Sequence, residues 1–166
     1  MTAASTTFSS KPKAYRVILV AGLVAGVFDI AAAFVNSGLR GTPPTRVLQS
    51  IASGLLGAES YSGGLRSASL GAVLHFLIAT GAATVYYLAS RKVEFLIRQA
   101  IISGLLYGVA VYLFMYGVVL PLTFHRSFFT PLSAVLIGLT IHMLFVGLPI
   151  ALVVRWFSQP YRRTIS

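Results

Sequence analysis

The chain contains no cysteine, which excludes disulfides, thiolate metal sites, iron–sulfur clusters, thioether-linked haem and cysteine nucleophiles. It is almost as poor in acid. Three Asp and Glu stand against 13 Lys and Arg in 166 residues, and only 10% of the chain is charged. A soluble domain ordinarily carries roughly a quarter charged residues. Two of the acids, Glu59 and Glu94, fall at the edges of apolar segments, so no carboxylate pair is available for acid–base work. A nucleotide-binding glycine loop, H-E-x-x-H and G-x-S-x-G are missing too. No catalytic residue is assigned, and an enzyme is not expected. What the chain has in abundance is apolar side chains, at 57%. That balance excludes a soluble globular enzyme and a disordered chain. The net charge of +10 raises nucleic-acid binding. The basic residues, however, sit in small groups between long apolar runs, as in the loops of membrane proteins. The expected partner is a lipid bilayer, not nucleic acid.

Four stretches are long enough to cross a bilayer as helices, at about 20 residues each. They cover about 17–35, 67–89, 95–120 and 131–154. The expected fold is therefore all-α, a four-transmembrane-helix bundle over 17–155, with a flexible tail at 1–16 and a basic tail at 156–166. Thr130-Pro131 reads as a helix start, Pro121 as a stop, and Tyr86, Tyr87 and Trp156 as interfacial rings. Lys11, Lys13, Arg16, Arg91, Lys92, Arg98, Arg155, Arg162 and Arg163 fall on one side of the spans. Arg40, Arg46, Arg66 and Arg126 fall on the other. Positive loops stay inside, so both termini are expected in the cytoplasm of a multi-pass protein of the bacterial inner membrane. The first span is read as a retained helix and not a cleaved signal, because Asp29 interrupts its apolar run.

The one long outer loop, 36–66, contains Thr42-Pro43-Pro44-Thr45 and then an apolar period over about 43–57. Val47, Leu48, Ile51, Ala52 and Leu55 share one face, and Arg46, Gln49, Ser50 and Ser53 the other. A short amphipathic interfacial helix is expected, with its polar face outward. A lid on a cavity is the sharper alternative. In the same loops, Glu94 and Arg98 are spaced as an i, i+4 pair, and His125-Arg126 reads as a solvated outer-loop pair.

Inside the spans, small residues recur at helical spacing, and each stripe carries a polar group. Gly22, Gly26, Asp29, Ala33 and Asn36 share a face in the first span, and Gly71, His75, Ala79 and Ala83 in the second. Gly104, Gly108 and Tyr112 do so in the third, and Ala134, Gly138 and His142 in the fourth. Small faces permit close helix approach, so each polar group should point inward. At 1.5 Å per residue, Asp29, His75, Tyr112 and His142 fall about 10–16 Å below the outer ends of their helices. They form a candidate intramembrane cluster. A charge at the bilayer centre costs on the order of 3 kcal/mol, so Asp29 needs a reason to be there. It could pair with His75 and relay protons. It could equally be polar glue, worth about 0.6 kcal/mol. A direct Asp29–His75 hydrogen bond is the specific expectation. No metal site and no cofactor are expected, since no close His pair exists; a b-type haem between His75 and His142 is an outsider.

Gly22-Leu23-Val24-Ala25-Gly26-Val27, His75 followed by Tyr86, Ser103-Gly104-Leu105-Leu106-Tyr107-Gly108, Pro121 and His142 come in this order along the chain. In this it resembles the YagU-type inner-membrane proteins of bacteria, small four-helix proteins with a longer outer loop after the first span. The resemblance covers most of 17–155 and implies an inner-membrane protein of unknown activity. Function divides into two classes. One is a structural, accessory or regulatory component that assembles, as a homo-oligomer or within a larger complex, through the small-residue helix faces. The other is a proton-linked small-solute transporter or channel-like protein that uses Asp29 and His75.

Overall fold

The computed structural model describes residues 13–120 and 131–159. Expectations placed on Pro121, His125-Arg126, Thr130 and the two tails beyond 13 and 159 lie outside the described residues. The fold is all-helical. Helix α1 spans Ala14–Gly38, α2 Pro44–Leu56 and, after a 3₁₀ turn at Gly57–Tyr61, α3 spans Gly64–Ser90. A single turn, α4, covers Phe95–Arg98. Helix α5 runs over Ala100–Phe114 and continues as a π-helical segment, Met115–Val119. Helix α6 is Leu132–Ser158, with a π-helical segment at His142–Gly147. Among the described residues α1, α3, α5 with its π segment, and α6 are long and apolar enough to cross a bilayer. The chain is an integral membrane protein.

Four crossings bring Ala14 and Ser158 to one end of the bundle, here the termini end, together with the α3–α5 connection. Helix α2 lies at the far end. In the bundle α1 sits between α3 and α6, and α6 between α1 and α5. Large apolar side chains point outward: Leu19, Leu23, Leu77, Leu106 and Leu113 are all exposed. Buried positions are small, with Ala21, Ala25, Ala83, Ala100 and Ala151 completely covered. This inverts the soluble pattern for a physical reason. Lipid is as apolar as leucine, so burying large side chains gains nothing, and close packing of small ones drives helix association.

The glycine stripes meet neighbours as their spacing predicts. A Cβ on Gly22 would lie 2.7 Å from Thr80 Cα, and one on Gly26 2.7 Å from a ring carbon of Phe76. Gly104 and Gly108 of α5 face the backbone of Gly147 and of His142–Met143 in α6, and Gly138 faces the Tyr112 ring. Gly71 meets the Leu48 backbone of α2.

Three departures from the sequence expectation have local causes. The third span does not start at 95. Gln99 breaks the helix (φ −110°, ψ 49°), separating α4 from α5. The Leu96 carbonyl freed there is taken up by the Tyr86 and Ser103 hydroxyls. The Tyr86 hydroxyl donates to Leu96 O at 2.8 Å, and Ser103 Oγ lies 2.9 Å from Gln99 O and 2.8 Å from the Tyr86 hydroxyl. Irregular backbone at membrane depth requires such partners. Tyr86 is therefore a core residue and not an interfacial ring. The fourth span widens into a π segment just ahead of Pro149, which lacks the N–H that Phe145 O would receive in an α-helix. Its first helical residue is Leu132, with Pro131 one position outside.

The third departure concerns α2. Its buried residues are Ala52, from the apolar face as expected, and Gln49 and Ser53, from the strip expected to face outward, while Leu55 is 67% exposed. The small strip lets α2 sit on Gly71 and Ala68, and the Gln49 amide donates to Gly64 O at 3.1 Å. Positive φ at Gly57 (62°) and Gly64 (57°) allows the chain to reverse between α2 and α3. The apolar residues Val47 and Ile51 consequently face the interior of the bundle, where they wall a cleft.

Candidate functional site, a polar cleft beneath α2

Toward the far end the four spans enclose an open-sided cleft of about 240 Å³. Most of its lining is apolar, from Ala25 and Ala33 on α1 to Val146 on α6. The polar side chains in it are Asp29 from α1, His75 from α3, Tyr116 from α5 and His142 from α6. Each of the four spans thus contributes one. The small-residue stripes explain the convergence. Gly26 fits against α3 beside Phe76, and Gly108 against the His142 backbone, so the next polar residue on each stripe turns inward.

The individual contacts differ from the expected pairing. His75 Nε2 lies 2.9 Å from Gly26 O, one turn before Asp29, and makes no direct hydrogen bond to the Asp29 carboxylate. His142 Nδ1 is 2.8 Å from Gly138 O in its own helix. Both imidazoles are anchored to backbone carbonyls, each through one nitrogen. Asp29 forms no hydrogen bond or ion pair with the described residues. Arg40, the basic residue one turn beyond the end of its stripe, contacts Asn36 Oδ1 at 3.3 Å instead. Asp29, His75 and His142 thus line one cleft, and in place of the expected Asp29–His75 hydrogen bond His75 contacts Gly26 O. Backbone carbonyls compete well for a buried imidazole because they are fixed in place, whereas a carboxylate must also be desolvated.

Tyr112, the fourth expected member, is buried behind the cleft wall. Its ring stacks on Tyr116 (centroids 4.4 Å, interplanar angle 28°) and meets the edge of His142 at 5.4 Å. Tyr116 is the member that sequence reasoning missed. It is four residues after Tyr112, so the same i, i+4 rule that grouped the stripe could have found it. Tyr112, Tyr116 and His142 together make an aromatic wall on one side of the cleft, with Tyr116 and His142 at 6.2 Å. Both π segments border this site: Met115 and Tyr116 belong to one, His142 and Val146 to the other. Wide turns of this kind recur at functional sites because they redirect side chains that a regular helix would aim elsewhere.

Among the described residues no group of three His, Asp or Glu is placed to hold a metal ion. A haem between His75 and His142 would require His75 Nε2, a nitrogen through which histidine can ligate iron, to leave Gly26 O. Comparison of the chain with protein-family models, with curated proteins and with solved structures gave no match.

Proposed function

We propose that this membrane protein takes a small cationic solute, or a proton in its place, at Asp29 in the cleft beneath α2, and so belongs to the proton-linked transporter or channel-like class. The observation that carries this reading is the Asp29 carboxylate, set between spans with no ion-pair partner among the described residues and lining a cleft beside the Tyr116 and His142 rings. A carboxylate in the membrane interior is costly, and a ligand cation or a proton relieves the cost. Asp29 holding one or the other in turn is the elementary basis of coupling a solute to a proton. The anchored imidazoles of His75 and His142 keep polar atoms at the cleft without competing for the carboxylate.

Assembly through the glycine faces has less support. Gly22, Gly26, Gly71, Gly104, Gly108 and Gly138 all meet neighbours within the same chain. The proposed setting is the bacterial inner membrane with both termini cytoplasmic, on the basic-residue asymmetry; a cytoplasm-dependent reporter fused to the C-terminus should be active. The function is tested in proteoliposomes carrying an internal pH dye. The wild-type protein should dissipate an imposed pH gradient when tetramethylammonium is present on the opposite side. Asp29→Asn should not, while eluting as the same folded species. Equal dissipation by the two proteins would overturn the proposal.

A further inference from the structure

Helices α3 and α5 are neighbours in the bundle only through side chains near the termini end. There the Tyr86 hydroxyl meets Ser103, and the Tyr107 hydroxyl donates to Ala82 O at 2.7 Å. Beyond that level the two helices part, and an apolar groove of about 450 Å³ lies between them. From Ile78 to Val85 along α3 the groove runs for about 10 Å at 1.5 Å per residue. Its rims are open to the outside of the bundle: Val85 is 59% and Phe114 58% exposed. Gly81 stands in it with no atom within 4 Å of where its Cβ would be. Inward, the groove adjoins the Asp29 cleft, with Ile78, Ala82, Val111 and Met115 lining both.

We infer that the ligand is an amphiphilic organic cation, which enters sideways from the bilayer between α3 and α5, with its alkyl chain in the groove and its ammonium head at Asp29. This rests on the reading of the cleft given above and adds to it the ligand class and the route. The chemistry is matched at both ends. The groove offers only apolar surface in a hydrocarbon setting, so it discriminates for a chain and against a polar solute. The head position offers a carboxylate with no counter-ion among the described residues and the Tyr116 and His142 side chains beside it, a setting that suits an alkylated ammonium, which has a diffuse charge and few or no donors. An anionic amphiphile would bring its charge against Asp29, and a neutral one would leave the carboxylate unpaired.

The test uses the whole protein in lipid nanodiscs, with dodecyltrimethylammonium and tetramethylammonium as probes and empty nanodiscs to subtract partitioning into lipid. The wild-type protein should bind the long-chain cation at least tenfold more tightly than the short one. Gly81→Phe places a ring into open space within the groove. It should lose that preference by tenfold or more, and should keep its affinity for tetramethylammonium. Val85→Trp, on the exposed rim, is the second variant should the first not fold, and the same loss is expected. Unchanged dodecyltrimethylammonium affinity in a folded groove variant overturns the lateral route while leaving the cleft reading standing. Unchanged affinity for both probes in Asp29→Asn overturns the cleft reading itself, and this inference with it.

Discussion

The two ends of the bundle are built on different terms. At the termini end, Val17, Ala21, Ala83, Ala100, Ile150 and Val154 close a continuous core, and the polar groups in it are mutually satisfied through Tyr86, Ser103, Tyr107 and the carbonyls they bond. At the far end the same four helices leave a cleft and a groove, and Asp29 forms no hydrogen bond or ion pair with the described residues. The stripe of small residues runs through both ends of α1, so small residues alone do not decide where packing is tight. The difference lies in what faces them. In the packed half, buried side chains and satisfied hydroxyls fill the space between the spans; in the open half the spans carry π turns and α2 adds a further wall to the cleft. Close packing is thus concentrated at one end.

That contrast can be broken most severely at the α5–α6 crossing. A Cβ on Gly147 would collide with the backbone of Gly104 and Gly108, and no flexible side chain is there to give way. Gly147→Ala should therefore destabilise by about 3 kcal/mol, at the upper end of overpacking costs, seen as a lower unfolding midpoint in detergent titration. Removing the Tyr86 hydroxyl takes away the shorter of the two hydroxyl contacts to Leu96 O and the buried partner of Ser103 Oγ. Tyr86→Phe should cost about 1–2 kcal/mol by the same titration. Ser60 presents the opposite case, since its Oγ is fully buried with no hydrogen-bond partner among the described residues. Ser60→Ala should raise stability by about 1 kcal/mol, because a buried hydroxyl without a partner is a net cost. Gly81→Ala lies in the open groove, where nothing meets the added methyl. Its midpoint should move upward by no more than about 1 kcal/mol, the helix-propensity difference between the two residues.

Much of the scaffold was legible in the sequence because membrane helices announce themselves by length, and their inner faces by glycine spacing. Gly22, Gly26, Gly104 and Gly108 all face helices, as the stripes implied, and Asp29, His75 and His142 reach one cleft. The features that were not legible depend on non-local competition. Nothing in the spacing of Gly26, Asp29 and His75 says that the imidazole prefers the Gly26 carbonyl to the carboxylate. The exposed Leu55 and buried Gln49 of α2 rotate the buried strip away from the one its apolar period marks, while Val47, Ile51 and Ala52 still face inward, because α2 packs on Gly71 of α3. The π segment at His142–Gly147 has a signal in Pro149, whose missing N–H leaves Phe145 O without its α-helical donor. The gap between α3 and α5 had none, since it depends on how α1 and α6 order the bundle.

The central claim is that Asp29 contributes to ligand binding and not to holding the helices together. Asp29→Asn tests it when stability and binding are measured on the same purified protein. The carboxylate forms no hydrogen bond or ion pair with the described residues, so its replacement by an amide of the same shape should leave the unfolding midpoint within about 0.5 kcal/mol of the wild type, as for a site outside any network. Tetramethylammonium binding should be lost. A loss of stability as large as that of Tyr86→Phe, with cation binding intact, would make Asp29 a structural tie between helices and contradict the account.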